Sequence, residues 1–158
     1  MKKIRNPWIG LTDKGYNCFA CAPTNPYGLK MEFYEDGDDI VSFWNPGKNY
    51  QGWLDTLHGG IQATLLDEIG GWIIARKFQT SGMTTNLYVK YKKPVPTGDG
   101  IVIEVRARVK EVKRMFVFIE AAISYNGEIC SSAEMTYYTF PKDVAEKDFM
   151  FHECVTEE

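Results

Sequence analysis

The spacing of polar and apolar residues changes twice along this chain, and the changes mark out its elements. Leu29-Lys30-Met31-Glu32-Phe33-Tyr34 alternates, Asp36-Gly37-Asp38 offers a turn, and Ile40 to Trp44 returns, which predicts a hairpin. From Gly59 to about Gln79 the apolar residues are Ile61, Ala63, Leu65, Leu66, Ile69, Trp72, Ile73, Ile74, Ala75 and Phe78. They cover most of a helix circumference rather than one stripe, so this helix is expected to be buried on nearly every side. Alternation resumes at Thr84 to Tyr91 and stops at Pro94-Val95-Pro96. Ile101 to Val109 follows a turn at Gly98-Asp99-Gly100, and Met115 to Tyr125 is joined to Glu128 to Phe140 by Asn126-Gly127, a strong hairpin signal. The order is two strands, one long helix, then four strands expected to run as an antiparallel meander. An α+β architecture, with an antiparallel sheet curled around one central helix at about 59–79, satisfies both the all-round apolar helix and the half-buried strands.

Before the hairpin, residues 1–28 are broken by Pro7, Pro23, Pro26 and several glycines and read as irregular. After the last strand, residues 141–158 are rich in charge, with Phe149, Met150 and Phe151 available to dock a short helix. The expected division is an irregular segment 1–28, a domain 29–140 and a charged tail 141–158. The 158 residues suit one domain, and 44% hydrophobic with 25% charged residues is an ordinary globular composition. The net charge of −3 and the scattered basic residues give no reason to expect nucleic acid or an anionic membrane as partner. Basic residues near the start are not followed by the roughly 7–15 apolar residues of a secretory signal, nor is there a stretch of about 20 to span a bilayer. A cytoplasmic protein with four reduced cysteines is the expectation.

The helix start carries the candidate chemistry. His58-Gly59-Gly60 gives a ligand close access to the backbone, and the first N–H groups of a helix lack internal partners at the positive end of its dipole. They could stabilise a carbonyl oxygen that gains negative charge; two glycines can also simply close a tight loop. Asp67 lies mid-helix, where a carboxylate is costly unless it is paired or used. Gly70 and Gly71 follow and clear side chains from its neighbourhood, where a substrate or second helix could approach. Glu68, rotated about 100° from Asp67, is expected at the rim or against Arg76, though it is a second candidate acid. His58 invites a general-base role, but a ring that bonds the loop and fixes the helix entry is the stronger reading.

Leu57-His58-Gly59-Gly60-Ile61-Gln62-Ala63-Thr64-Leu65-Leu66-Asp67-Glu68 resembles the signature of hotdog-fold acyl-CoA thioesterases of the phenylacetyl-CoA and 4-hydroxybenzoyl-CoA type, with an acid nine residues after the histidine. Met83 to Pro94 resembles that family's next strand. Tyr50-Gln51-Gly52 and Cys18-Phe19-Ala20-Cys21-Ala22-Pro23-Thr24-Asn25-Pro26-Tyr27-Gly28-Leu29 resemble stretches of one subgroup, so the likeness runs over roughly 18–140. The resemblance implies a hotdog fold and hydrolysis of a small, medium-chain or aromatic acyl-CoA to acid and CoA, with no cofactor. It also implies three roles. Gly59 would offer its N–H to the thioester carbonyl, Asp67 would be nucleophile or water-activating base, and Thr84, or Thr85 one residue on, would help hold that water. Gly60 and Gln51 stand in supporting positions, Gln51 one place from the amide that relatives carry.

Gly59 and Asp67 are about 12 Å apart along one helix at 1.5 Å per residue, too far to meet at one reacting carbon. If both roles hold, two antiparallel helices from two subunits must share each site, which calls for a homodimer, with a homotetramer also open. Lys92, Lys93, Lys113 and Arg114, near strand ends, are candidates for the CoA phosphates. Cys18-x-x-Cys21 has no second pair at ligand spacing, so no metal site is expected. A non-catalytic acyl-CoA sensor is the alternative from another class. A hotdog hydratase or dehydratase would need a histidine placed differently.

Overall fold

The computed structural model describes all of residues 1–158. The elements are β1 (Lys2–Lys3), β2 (Tyr34–Asp36), β3 (Asp39–Trp44), α1 (Gly59–Ile73), β4 (Gly82–Tyr91), β5 (Ile103–Lys113), β6 (Phe116–Tyr125), β7 (Glu128–Thr139) and α2 (Lys142–Phe149). A 3-10 segment, Ile9–Lys14, precedes β2, and α1 continues into a π-helical turn, Ile74–Phe78, closed by Gln79 at φ 53°. Seven strands form one antiparallel sheet in the order β1-β2-β3-β5-β6-β7-β4, curled around α1. This is the hotdog arrangement.

The helix is buried as its apolar circumference requires. Leu65, Leu66, Ile69, Ile73 and Ile74 have no exposed surface. They pack against alternate residues of the sheet: Val105 and Ala107 on β5, Val117 to Ile123 on β6, and Ala133, Met135 and Tyr137 on β7. On the flank that the sheet does not cover, Trp72 stacks on Phe33 with ring centroids 4.2 Å apart and meets the edge of Trp8 at 6.3 Å. The N-terminal segment is therefore a wall of the core.

Three expectations are corrected. The four later strands are not a simple meander: β5, β6 and β7 are, but β4 crosses over to pair with β7 at the far edge. Pro94 and Pro96 take the chain out of the ladder after β4. The Leu29–Tyr34 strand begins only at Tyr34. Leu29 and Met31 bond instead to Phe19 and Ala20 in the loop, and Phe33 to Ile4, so alternation here reflects burial against irregular chain. Residues 1–28 are not wholly irregular, since β1 extends the sheet and Ile4 bridges Thr156 in the tail. The tail is anchored by the buried Ala145, Phe151 and Cys154, whereas Phe149 and Met150 stay exposed.

Charged groups lock the far end of α1. Arg76 donates to both oxygens of Glu35 at 3.0 Å and Lys77 donates at 2.9 Å. Burial alone would raise the Glu35 pKa, but the hydrogen bonds from Arg76 and Lys77 outweigh it and hold the carboxyl below its ordinary 4.5. A depressed folded-state pKa means stability present in full above 4.5 and lost as pH falls through the folded value. Glu35→Gln should therefore lower stability at pH 7 by about 1–3 kcal/mol. The gap from wild type should close in denaturant titrations carried below pH 4.5.

Candidate active site

Strands β4 and β7 place two hydroxyls on one side of Asp67. Thr84 donates to Asp67 Oδ1 at 2.7 Å. The Tyr137 hydroxyl lies 2.9 Å from the same oxygen and 2.5 Å from the Asp67 main-chain carbonyl. Thr84 and Tyr137 are directly paired across the two strands, and the ladder shifts register immediately after, between Thr84 and Asn86. Thr85 is thus the extra residue of a β-bulge, which turns it outward to donate to the Thr136 carbonyl and aims Thr84 at the helix. That geometry separates the two threonines.

Burial first, and then the charge of Asp67, push the Tyr137 pKa up, so the phenol keeps its one hydrogen, shared between the Asp67 main-chain carbonyl and Oδ1. Asp67 forms no ion pair, and Oδ2 accepts no hydrogen bond from the protein. The acid is held by one oxygen and presents the other. Around it lies a half-open stripe of small residues, Gly60, Ala63, Thr64 and Gly71, one or two turns apart on α1.

At the helix start, His58 is the N-cap and its Nδ1 accepts from Gly60 N–H at 2.9 Å. The Gln62 N–H is taken by the His58 carbonyl, which leaves the N–H groups of Gly59 and Ile61 without a protein acceptor. Tyr91, at the other end of β4 from Thr84, donates to the Gly59 carbonyl at 2.6 Å. Gln51 is exposed in a small loop bridged to Leu57, and this loop carries Trp53 and Leu54 at its tip, 86% and 80% exposed.

Other candidates sit elsewhere. Glu68 does not meet Arg76: it accepts from Trp72 Nε1 at 3.0 Å and lies beside Cys18. Gly70 and Gly71 do different things. A Cβ on Gly70 would stand 2.4 Å from Met135 Sδ and 2.8 Å from the Tyr137 ring, so its absence admits the sheet rather than a substrate. Gly71 is open and lines a groove with Glu68 and Trp72. Within one chain the four cations are not gathered. Lys92 and Lys93 bond the Cys130 carbonyl at one end of β7, while Lys113 and Arg114 turn beside Tyr138 and Thr139 at the other, roughly 30 Å away at 3.3 Å per residue. Lys93 is paired with Glu128, and Lys113 faces Glu111 at 3.6 Å. Tyr137 was not singled out by sequence: it is one aromatic among several on an alternating strand, and only its register with Thr84 marks it.

Residues 54–130 match the family model of the thioesterase superfamily. The rat (Rattus norvegicus) acyl-coenzyme A thioesterase THEM4 is 32% identical over 94 residues, which is 57% of this chain and 40% of the rat protein. The Xenopus laevis THEM4 is 30% identical over 98 residues, 61% of this chain and 42% of its own. The chain thus spans less than half the length of these curated relatives. Among solved structures, a thioesterase superfamily protein from Shewanella loihica PV-4 superposes with a TM-score of 0.61 at 25% identity, covering 75% of this chain and 96% of that one. A hypothetical thioesterase protein from Streptococcus pneumoniae TIGR4, solved with coenzyme A, gives 0.65 at 17% identity over 80% and 98%. Fold and sequence point the same way: the chain has the hotdog fold of these structures, and over residues 54–130 it resembles the thioesterase superfamily.

Gly70→Ala tests the seating of Tyr137. The added methyl must displace the ring or the Met135 sulfur, and overpacking of this kind costs about 1–3 kcal/mol. The expected result is a lower melting temperature, whereas Gly71→Ala, with only the Tyr137 hydroxyl at 3.8 Å, adds no clash and gains helix propensity, so its melting temperature should equal or exceed that of wild type.

Proposed function

We propose that this protein hydrolyses an acyl-CoA thioester, with Asp67 as the acting acid. The observation that carries the reading is the state of that carboxylate: no cation, Oδ1 held by two hydroxyls, and Oδ2 open beside a stripe of small residues. Thr84 and Tyr137 fix the orientation of the group through one oxygen, which leaves the other to face a water or substrate.

In the base route, Oδ2 takes a proton from water while the water oxygen bonds to the thioester carbonyl carbon. The developing oxyanion accepts from the unpartnered Gly59 N–H. The C–S bond then breaks, and the CoA sulfur leaves with the proton. In the nucleophile route Oδ2 itself bonds to the carbonyl carbon, the C–S bond breaks to release the CoA thiolate, and water then cleaves the resulting anhydride to the acid and the Asp67 carboxylate, its released proton going to the thiolate. A single turnover in 18O-labelled water that leaves label in Asp67 identifies the nucleophile route, with water attacking the aspartyl carbon of the anhydride.

Because Gly59 and Asp67 are about 12 Å apart on one helix, each site takes its donor and its acid from different chains. Two features support a homodimer built for that. Strand β4 is a sheet edge whose outer ladder is unpaired, with Met83, Tyr88 and Tyr91 each more than half exposed. It runs antiparallel to α1, with Tyr91 at Gly59 and Thr84 at Asp67. Pairing two such edges antiparallel sets the Asp67 end of one chain beside the Gly59 end of its partner. The same operation brings Lys113 and Arg114 of one chain towards the Lys92–Lys93 end of the other, which would gather cations for the CoA phosphates. A small, medium-chain or aromatic acyl group is the proposed substrate. A non-hydrolysing acyl-CoA sensor is the second reading, and Oδ2, which accepts nothing from the protein, argues against it.

Asp67→Asn should lower hydrolysis, read as CoA thiol release over a panel of acyl-CoAs, by at least about 10²-fold, with binding of a non-hydrolysable analogue little changed. Wild-type rates in this variant would reject the assignment, and tight binding with no release by the wild type would favour the sensor. The shared site is tested by mixing Asp67→Asn with Gly59→Pro, which lacks the backbone donor, after circular dichroism confirms that both fold. With random exchange about half of the dimers are mixed, and each has one intact site, so activity should recover to about a quarter of wild type. Mixed dimers without recovery would place both groups in one chain.

A further inference from the structure

Outside the hydrolytic site, three soft or anionic acceptors from distant parts of the chain converge. Cys18 and Cys21 lie on one tight turn after the 3-10 segment, where the Ala22 N–H bonds the Cys18 carbonyl. Glu68 projects from α1. The ligand atoms of the three lie within 4.8 Å of one another, and Cys18 Sγ is 3.6 Å from Glu68 Oε1.

Each acceptor is gripped from outside by a donor. The Cys21 N–H points at Cys18 Sγ, 3.3 Å away. The Trp72 indole N–H reaches Glu68 Oε1 at 3.0 Å. The Tyr16 hydroxyl stands 3.1 Å from Cys21 Sγ, and its own oxygen accepts from Asn6 Nδ2 at 2.8 Å. The Asn6 amide is oriented in turn by the Trp8 N–H on its Oδ1 at 2.9 Å. With the Cys21 thiol deprotonated, the Tyr16 hydroxyl is the donor of this pair. The Cys18 thiol donates to Glu68 Oε1; once the thiols give up their hydrogens only acceptors face inward, with donors oriented behind them, which is the polarity of a cation cradle. Glu68 takes part in none of the protein's ion pairs.

We propose that Cys18, Cys21 and Glu68 bind one divalent, zinc-like ion, with water as the fourth ligand. Tetrahedral zinc, at about 2.3 Å from sulfur and 2.0–2.2 Å from oxygen, holds its ligand atoms roughly 3.5–3.8 Å apart. The Cys18 to Glu68 separation already has that value. Two thiolates with a carboxylate suit zinc rather than magnesium or calcium. On binding, the two thiols release their protons to solvent and the ion takes their place. Entry needs no unfolding, because all three residues line a groove of about 570 Å³ together with Trp8, Tyr16 and Trp72. The C-x-x-C pair reads as a half-site in the sequence because its third ligand comes from a different element. The ion would fasten the N-terminal wall to α1 one residue after Asp67, a structural clip rather than a participant in hydrolysis.

The test uses the full chain purified and kept under a non-thiol reductant, with four free thiols confirmed by titration. Metal content is measured by mass spectrometry, and stripped protein is titrated with Co²⁺ and then Zn²⁺. The expected result is one equivalent bound per chain, with a thiolate-to-cobalt charge-transfer band that zinc abolishes, and a melting temperature raised by zinc. Cys21→Ser should lose the band. Since a buried serine could unfold the turn, Glu68→Gln is the second variant, and it should keep the fold by circular dichroism yet weaken cobalt binding at least about 10-fold. Fully reduced wild type that neither carries zinc nor develops the band overturns the proposal. So does Glu68→Gln binding cobalt as tightly as wild type, which would leave a two-cysteine chelate only.

Discussion

A helix with apolar residues around most of its circumference cannot lie on a surface, and every layer of this fold is a way of covering α1. Five strands of the sheet, β3 to β7, bury one side to zero exposure at Leu65, Leu66, Ile69, Ile73 and Ile74. The approach is close enough that Gly70 has no room for a methyl group beneath Met135 and Tyr137. The remaining flank is closed by aromatic rings from both ends of the chain, Trp8 and Phe151 around Trp72. What the monomer leaves half-open is the stripe of small residues on which Asp67 sits and the groove beside Glu68.

That position gives the acid its character. A carboxylate needs either water, a cation or hydrogen-bond donors. Asp67 has two hydroxyls on one oxygen and nothing from the protein on the other, so it is neither free to rotate nor fully satisfied. Its neighbour Glu68, one residue on, faces a different wall made of indole and thiols. Two adjacent acids on one helix thus belong to two separate environments, because a turn of about 100° per residue carries them to different flanks.

Much of this was legible in the residues. Periodicity and turn chemistry located α1, β3 and the hairpin at Asn126-Gly127, where both turn residues have positive φ. The π turn at Ile74–Phe78 lay inside the expected helix, its hydrogen-bond pattern invisible to a count of apolar positions. Other features escaped because they depend on pairing across the sheet. Alternation shows which face a strand buries but not which strand it joins, so the crossover of β4 to β7 and the partnership of Thr84 with Tyr137 had no local signal. The bulge at Thr85 follows from the same pairing and decides which of two adjacent threonines faces the acid. Glu68 beside Cys18 is likewise a tertiary meeting between a loop and a helix, with nothing in either segment to announce it.

The two ends of the chain lie side by side. Ile4 bridges Thr156, the Arg5 N–H bonds the Val155 carbonyl, and the Glu157 N–H bonds the Lys3 carbonyl. Because these short runs are antiparallel, tension applied between the termini would part their hydrogen bonds one at a time, as a zip opens, instead of shearing them together. Mechanical load would be spent on this small ladder before reaching α1. A fusion partner at either end would emerge from the same corner of the molecule.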